Sequence, residues 1–191
     1  MKSASIQRKR TKKVMVGVVA VGGNGPITVQ SMTKTDTRDV AATVQQIREM
    51  ESVGCDIVRV AVPDNEAVES FKEIKKQITV PLVADVHFDY RLALESLEAG
   101  ADKLRINPGN IGSKERVERI ALAAKERNVP IRIGVNAGSL EKDLLEKFDG
   151  LTAEALVESA LRHVTHFEDL GFEDIVLSLK ASDVLMTIDS Y

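Results

Sequence analysis

The chain has 191 residues, 43% hydrophobic and 29% charged, which is the composition of a globular domain with a substantial core. A net charge of −3, no tryptophan and 4% aromatic residues argue against a nucleic-acid partner. No apolar run is long enough for a membrane span, and MKSASIQRKRTKKV lacks an apolar signal core, so a cytoplasmic protein is expected. The single cysteine, Cys55, excludes an internal disulfide and a cysteine-built metal site within this chain.

The N-terminal part predicts a hairpin ahead of the first core strand. A basic cluster at residues 8–13 is interpreted as a solvated tail, with a phosphate-binding arm as the alternative. Residues 14–21 are apolar and β-branched, residues 22–26 have turn composition, and residues 27–32 are apolar again. We therefore expect a hairpin over about residues 14–29 that merges into the first strand.

Helical and extended patterns alternate through the rest of the chain. The first helical pattern follows a cap at Thr37 or Asp39 and places apolar residues on one face. Helices are predicted over residues 37–53, 65–77, 90–99, 113–128 and 152–170, with a last helix capped by Ser182 and continuing to Tyr191. Core strands are predicted to begin at Ile27, Asp56, Val80, Lys103, Ile131 and Ile175.

Three helix-to-strand joints look alike, namely VGCDIVRV, AGADKLRI and LGFEDIVL. Each places glycine just past a helix, followed by an acidic residue and an apolar strand, which indicates repeated βα units with parallel strands. We therefore predict a (β/α)8 TIM barrel truncated after about six strands, so that residues 1–191 form one partial barrel domain. A doubly wound open sheet is the alternative, disfavoured because polar residues end nearly every strand.

Polar residues spaced two apart end most of the predicted strands. In PLVADVHFD, Asp85 and His87 share one face of a strand, because side chains two apart point the same way. A parallel barrel gathers such ends into one mouth, where barrel enzymes carry their active sites. The other residues expected at this mouth are Arg59, Arg105, Asn107, Arg132, Asn136, Ser178 and Lys180.

Cations outnumber acids at the predicted mouth. The mouth would hold four cations, Arg59, Arg105, Arg132 and Lys180, and a single acid, Asp85. Such a cluster favours an anion with several charges. Arginine forks bind phosphate oxygens in a bidentate manner, so phosphate binding is favoured over salt bridges inside the barrel.

Two roles are open for each acid–base residue of the mouth. His87 is a candidate proton donor to a leaving oxygen, oriented or charged by Asp85, or else a hydrogen-bonded histidine without reactivity. Asp85 could equally hold substrate hydroxyls, as could Asn107 and Asn136. Away from the mouth, the helical histidines 163 and 166 are interpreted as a solvent-facing pair rather than metal ligands, and Cys55 as a packing residue.

Several motifs in the same order resemble one enzyme family. VMVGVVAVGGNGPITVQSMT, VRVAVP, PLVADVHF, LRINPGNIG, RIGVNAGSLE and SLKAS resemble the N-terminal barrel of the 4-hydroxy-3-methylbut-2-enyl diphosphate synthases, from about Lys9 to the end of the chain. That family has a barrel similar to dihydropteroate synthase. The resemblance implies reductive ring opening and dehydration of 2-C-methyl-D-erythritol 2,4-cyclodiphosphate, in non-mevalonate isoprenoid biosynthesis.

The resemblance also implies partners and a site. The cyclodiphosphate would bind at Arg59, Asp85, His87, Arg105, Asn107, Arg132, Asn136 and Lys180. A [4Fe-4S] cluster would be held by three cysteines and a glutamate in a C-terminal domain. This chain would lack both that domain and the last two strands of the barrel. The family is homodimeric and takes electrons from flavodoxin or ferredoxin.

Two other hypotheses remain at this point. The first is a metal-independent phosphate-binding barrel enzyme of the pteroate-synthase or aldolase type, in which Lys180 would be the candidate Schiff-base lysine. The second is a binding or scaffold module without catalysis.

Overall fold

The computed structural model describes residues 9–191. Arg8, where the predicted basic cluster begins, lies outside the described residues. The strands are β1 (Lys13–Val16), β2 (Val19–Gly22), β3 (Gln30–Met32), β4 (Ile57–Ala61), β5 (Leu82–Asp85), β6 (Lys103–Ile106), β7 (Ile131–Asn136) and β8 (Ile175–Lys180). The helices are α1 (Val40–Ser52), α2 (Asn65–Lys75), α3 (Tyr90–Glu98), α4 (Pro108–Ile111), α5 (Lys114–Glu126), α6 (Lys142–Lys147), α7 (Ala153–Asp169) and α8 (Val184–Asp189), with a 3-10 turn at Ala137–Ser139.

Strands β3 to β8 form one parallel sheet whose spatial order is the order along the chain. A helix lies in every connection between neighbouring strands, as parallel pairing requires. The strand order never reverses, so the sheet has no switch point and is not doubly wound. The prediction of six parallel core strands of a (β/α)8 barrel is therefore confirmed.

The N-terminal hairpin turns earlier than predicted. Strands β1 and β2 pair with Val16 opposite Val19, which leaves a two-residue loop of Gly17 and Val18. Gly17 has a φ of 54°, a left-handed conformation that such loops favour and that glycine adopts without strain. The hairpin's own turn is therefore not at residues 22–26, because Gly17 divides the apolar run into two strands. Residues 23–25 do form a turn, as their composition predicts, but it follows β2 on the way to β3.

Most predicted helices are present, and their capping residues explain where they begin. Asp39 caps α1 by accepting a hydrogen bond from the Ala42 amide, while Thr37 donates to the Ala61 carbonyl. Asp183, rather than the predicted Ser182, caps α8, which ends at Asp189 before the end of the chain. The short helices α4 and α6 were not predicted.

The strands divide the core into two faces. Their outward-facing residues form one large apolar cluster with the helices, in which Phe71 and Phe167 are fully buried. On the inner face, Val16 of the hairpin packs against Ile57 and Val83. The hairpin therefore covers the amino-terminal end of the barrel interior and leaves the carboxyl ends of the strands as an open mouth. No helix within residues 9–191 is long and apolar enough to cross a membrane.

Candidate functional site

The pairing register places the predicted mouth residues on one face of the sheet. Asp85 on β5 lies beside Arg105 on β6, and Arg105 lies beside Arg132 on β7. Side chains alternate along each strand, so Arg59 on β4 and His87 just beyond β5 point to this same face. The structure therefore brings the predicted acidic and basic residues together at the carboxyl ends of the strands.

Asp85 is the centre of this cluster and is 3% exposed. Its Oδ1 accepts a hydrogen bond from Nη1 of Arg105 at 3.2 Å, and its Oδ2 lies 3.5 Å from Nε of Arg59. Nε2 of His87 approaches the same Oδ2 at 3.4 Å. One carboxylate thus serves two guanidiniums and an imidazole, which leaves the cluster with an excess of positive charge.

Arg132 forms no ion pair of this kind within the described residues. Its Nε is buried without a hydrogen-bond partner, and none of the salt bridges within residues 9–191 involves it. Burial, followed by the nearby Arg59 guanidinium, lowers the pKa of Arg132 from its ordinary value. A partly buried guanidinium without a partner is costly in free energy, and an anion in the mouth would supply the missing partner.

The remaining predicted residues differ in how far they are already engaged. The Asn107 amide donates to Ser139 Oγ at 2.6 Å and accepts from the Gly109 amide at 3.2 Å, so it holds the loop after β6. The Asn136 side chain is half-buried and makes no hydrogen bond in the described part of the chain. Lys180 is exposed, which is not the apolar setting that a Schiff-base lysine needs.

One inner-face residue was not predicted. Lys103 belongs to the same alternating row as Arg105 and Asn107, one layer deeper in the barrel, and is 2% exposed. Its ammonium donates to Oε1 of Gln30 on β3 at 2.8 Å. The spacing of two residues in KLRIN was the signal that could have identified it.

Gly134 makes room for the Arg105 guanidinium. A Cβ at position 134 would lie 2.7 Å from Nη2 and 2.8 Å from Nε of Arg105, and both distances are shorter than van der Waals contact allows. We expect Gly134→Ala to push Arg105 away from Asp85 and to weaken anion binding about tenfold, or about 1.4 kcal/mol. Calorimetric titration with pyrophosphate measures this loss. Gly138→Ala is the matched control, because a Cβ there meets nothing within 4 Å. Equal affinities for both variants would contradict this role of Gly134.

Two predictions away from the mouth have different outcomes. Cys55 is buried and its thiol lies 3.2 Å from the Ile57 carbonyl. It precedes the amino end of β4, opposite the carboxyl ends that form the mouth, as expected of a packing residue. The histidines do not face solvent as predicted, because the side chains of His163 and His166 are 18% and 14% exposed beside Glu141 and Glu118. No group of three or more metal-binding side chains occurs within residues 9–191.

Comparison with protein families matches residues 11–191 to the GcpE TIM-barrel domain. The chain belongs to the GcpE family. The chain is 62% identical over 184 residues to the Caldanaerobacter subterraneus subsp. tengcongensis protein named 4-hydroxy-3-methylbut-2-en-1-yl diphosphate synthase (flavodoxin), covering 96% of this chain and 52% of the relative. The Clostridium acetobutylicum protein of the same name is 62% identical over 97% of this chain and 53% of its own length. This GcpE chain thus spans about half the length of the curated relatives it matches.

Solved structures support the fold of the GcpE chain. Dihydropteroate synthase from Vibrio fischeri superposes with a TM-score of 0.65 at 12% identity, over 92% of this chain and 70% of that one. The Yersinia pestis dihydropteroate synthase gives a TM-score of 0.63 at 14% identity, over 86% and 61% of the two chains. At such low identity the likeness concerns the barrel alone.

Proposed function

We propose that this GcpE chain is the diphosphate-binding barrel of a 4-hydroxy-3-methylbut-2-enyl diphosphate synthase, an iron–sulfur oxidoreductase of non-mevalonate isoprenoid biosynthesis. The substrate of the proposed reaction is 2-C-methyl-D-erythritol 2,4-cyclodiphosphate, whose ring is opened and which loses a hydroxyl as water on two-electron reduction. The names of the 62% identical relatives support this activity.

A single observation carries the binding role. Arg59 and Arg105 share one carboxylate, Asp85, while Nε of Arg132 is buried and has no hydrogen-bond partner within residues 9–191. Guanidinium forks of this kind match the paired oxygens of a phosphate group. A diphosphate in the mouth would complete the hydrogen bonding of Arg132 and balance the excess charge.

The other mouth residues suit the rest of such a substrate. Asn136, whose side-chain amide makes no hydrogen bond within residues 9–191, pairs with the exposed Lys180 at the carboxyl ends of β7 and β8, where both would bind hydroxyl and phosphate oxygens. His87, whose side chain is 47% exposed, is our candidate proton donor to the leaving oxygen, and Asp85 would orient its imidazole. Asn107 would act through Ser139 by fixing the loop that follows β6.

The electrons and the redox cofactor of this proposal come from outside the chain. Its single cysteine is buried, and residues 9–191 contain no cluster of three or more metal-binding side chains, so these residues do not fit a [4Fe-4S] cluster. The cluster would reside in the further length that the relatives have. Flavodoxin, which the relatives' names contain, is the proposed electron donor, with ferredoxin as the alternative. We further propose that the whole protein is a homodimer located in the cytoplasm.

We expect no cluster to form on this chain by itself. Anaerobic incubation with iron and sulfide should give no stoichiometric cluster absorbance and no electron paramagnetic signal, since cluster ligation needs several thiolates. A Cys55→Ala variant is the control for loosely bound iron. Stoichiometric cluster in the unchanged chain, lost in this variant, would contradict the assignment.

The experiment that tests the proposed function uses a longer protein that joins this chain to the remaining length of its relatives. With reduced flavodoxin it should convert the cyclodiphosphate to 4-hydroxy-3-methylbut-2-enyl diphosphate, as followed by mass spectrometry. Arg132→Met should remove most of this turnover, whereas Arg127→Met, at an exposed position where α5 ends, should not. Absence of turnover in the intact protein with a loaded cluster would overturn the proposal.

A further inference from the structure

Lys103 is a buried lysine that forms no ion pair within the described part of the chain. It is 2% exposed, and its hydrogen bond within the described residues goes to the neutral amide oxygen of Gln30. None of the salt bridges formed within residues 9–191 includes Lys103. Buried lysines are almost always paired with an acid, so this arrangement lacks a charge of opposite sign.

The inner-face groups around Lys103 explain why no acid is available to it. Among the described residues on the inner face of β3 to β7, Asp85 is the one carboxylate, and its two oxygens are already engaged by Arg59, Arg105 and His87. Beneath this layer the hairpin offers apolar side chains. The charged and polar groups facing the Lys103 layer from its own and the neighbouring strands are Gln30, Arg59, Asp85, Arg105 and Arg132.

The electrostatics of the site agree with this geometry. Burial, then the Arg132 and Arg59 guanidiniums, lowers the pKa of Lys103 from 10.5 to about 8. The same guanidiniums are the groups that would bind an anion in the mouth. An anion placed among them would offset their repulsion of the Lys103 ammonium and raise its pKa.

We propose that Lys103 is a further member of the anion-binding set, with its charge balanced by the bound diphosphate, and that anion binding takes up a proton at this lysine. The inference rests on the diphosphate-binding function proposed above. Below about pH 7 the free protein already carries the proton, so affinity is at its full value. As the pH rises through the free-state pKa, each binding event must recruit a proton, and affinity falls.

The probe is methanedisulfonate, whose two sulfonates stay ionised throughout the range, so the anion itself does not titrate. Calorimetry at about pH 8.5 in two buffers of different ionisation enthalpy should show uptake of about half a proton for each anion bound. Affinity should fall about tenfold between about pH 7 and about pH 9. Lys103→Met should abolish both the uptake and this pH dependence, while Lys76→Met, at an exposed lysine paired with Glu73, should leave them unchanged.

The outcomes separate this inference from the proposed function. Anion binding without proton uptake in the unchanged chain, or with the full pH dependence in Lys103→Met, would overturn the role of Lys103 and leave the binding site intact. Failure of the unchanged chain to bind any disulfonate or pyrophosphate would overturn both. Thermal melting establishes whether Lys103→Met is folded. If it is not, Lys103→Gln takes its place in both measurements.

Discussion

Replacing Asp85 with asparagine should lower the free energy of unfolding by about 3–5 kcal/mol, the usual cost of removing one partner of a buried ion pair. Asp85 and Arg105 are 3% and 9% exposed in their side chains, so water cannot replace the lost carboxylate. Arg59 loses its counter-charge at the same time. Urea denaturation of the variant and the unchanged chain measures the difference.

The Asp85→Asn experiment has a control and a second readout. Asp143→Asn removes an exposed carboxylate that pairs with Arg162 and should change stability little. Pyrophosphate should restore part of the stability of Asp85→Asn, because the anion supplies charge to the same guanidiniums. A stability equal to that of the unchanged chain would show that Asp85 does not hold the cluster together.

Replacing Arg132 with methionine should weaken anion binding without lowering stability. Stability should not fall, because the variant removes a guanidinium with a buried, unpaired Nε and fills the space with an apolar side chain. Binding of pyrophosphate should weaken by about 1.5–3 kcal/mol, the range for hydrogen bonds to charged groups. Urea denaturation and calorimetry on one preparation give both quantities.

The prediction for Arg132 has a matched control and one outcome that would contradict it. Arg127→Met changes the same residue type at an exposed position where α5 ends, and it should alter neither quantity strongly. If Arg132→Met lost stability and kept its affinity, Arg132 would be a structural residue of the barrel wall and not an anion ligand.

The placement of the mouth residues was predictable because strand alternation is local. The spacing of Asp85 from His87, and of Arg105 from Asn107, was enough to assign a face, and repeated βα units made the strands parallel. The position of the hairpin turn at Gly17 could also have been predicted from the sequence. Gly17 interrupts the β-branched run, but the richer turn composition of residues 22–26 outweighed it in the prediction.

What the sequence could not show depends on contacts between distant residues. Lys103 donates to Gln30, 73 residues away, and its neighbour on β5, Val83, packs against Val16 of the distant hairpin. The sharing of Asp85 between two arginines depends on the distances between neighbouring strands. His163 and His166 are half-buried because Glu141 and Glu118, from other elements, lie against α7. Helical spacing alone does not report such neighbours.

Calorimetric titration of 2-C-methyl-D-erythritol 2,4-cyclodiphosphate into this chain tests most directly whether the mouth is a diphosphate site. We predict saturable binding of about one molecule per chain, weakened by added salt and displaced by pyrophosphate, because opposite charges attract less at higher ionic strength. Arg132→Met and Gly134→Ala should both weaken it, and Gly138→Ala should not. An absence of binding, or equal binding by all three variants and the unchanged chain, would contradict the account.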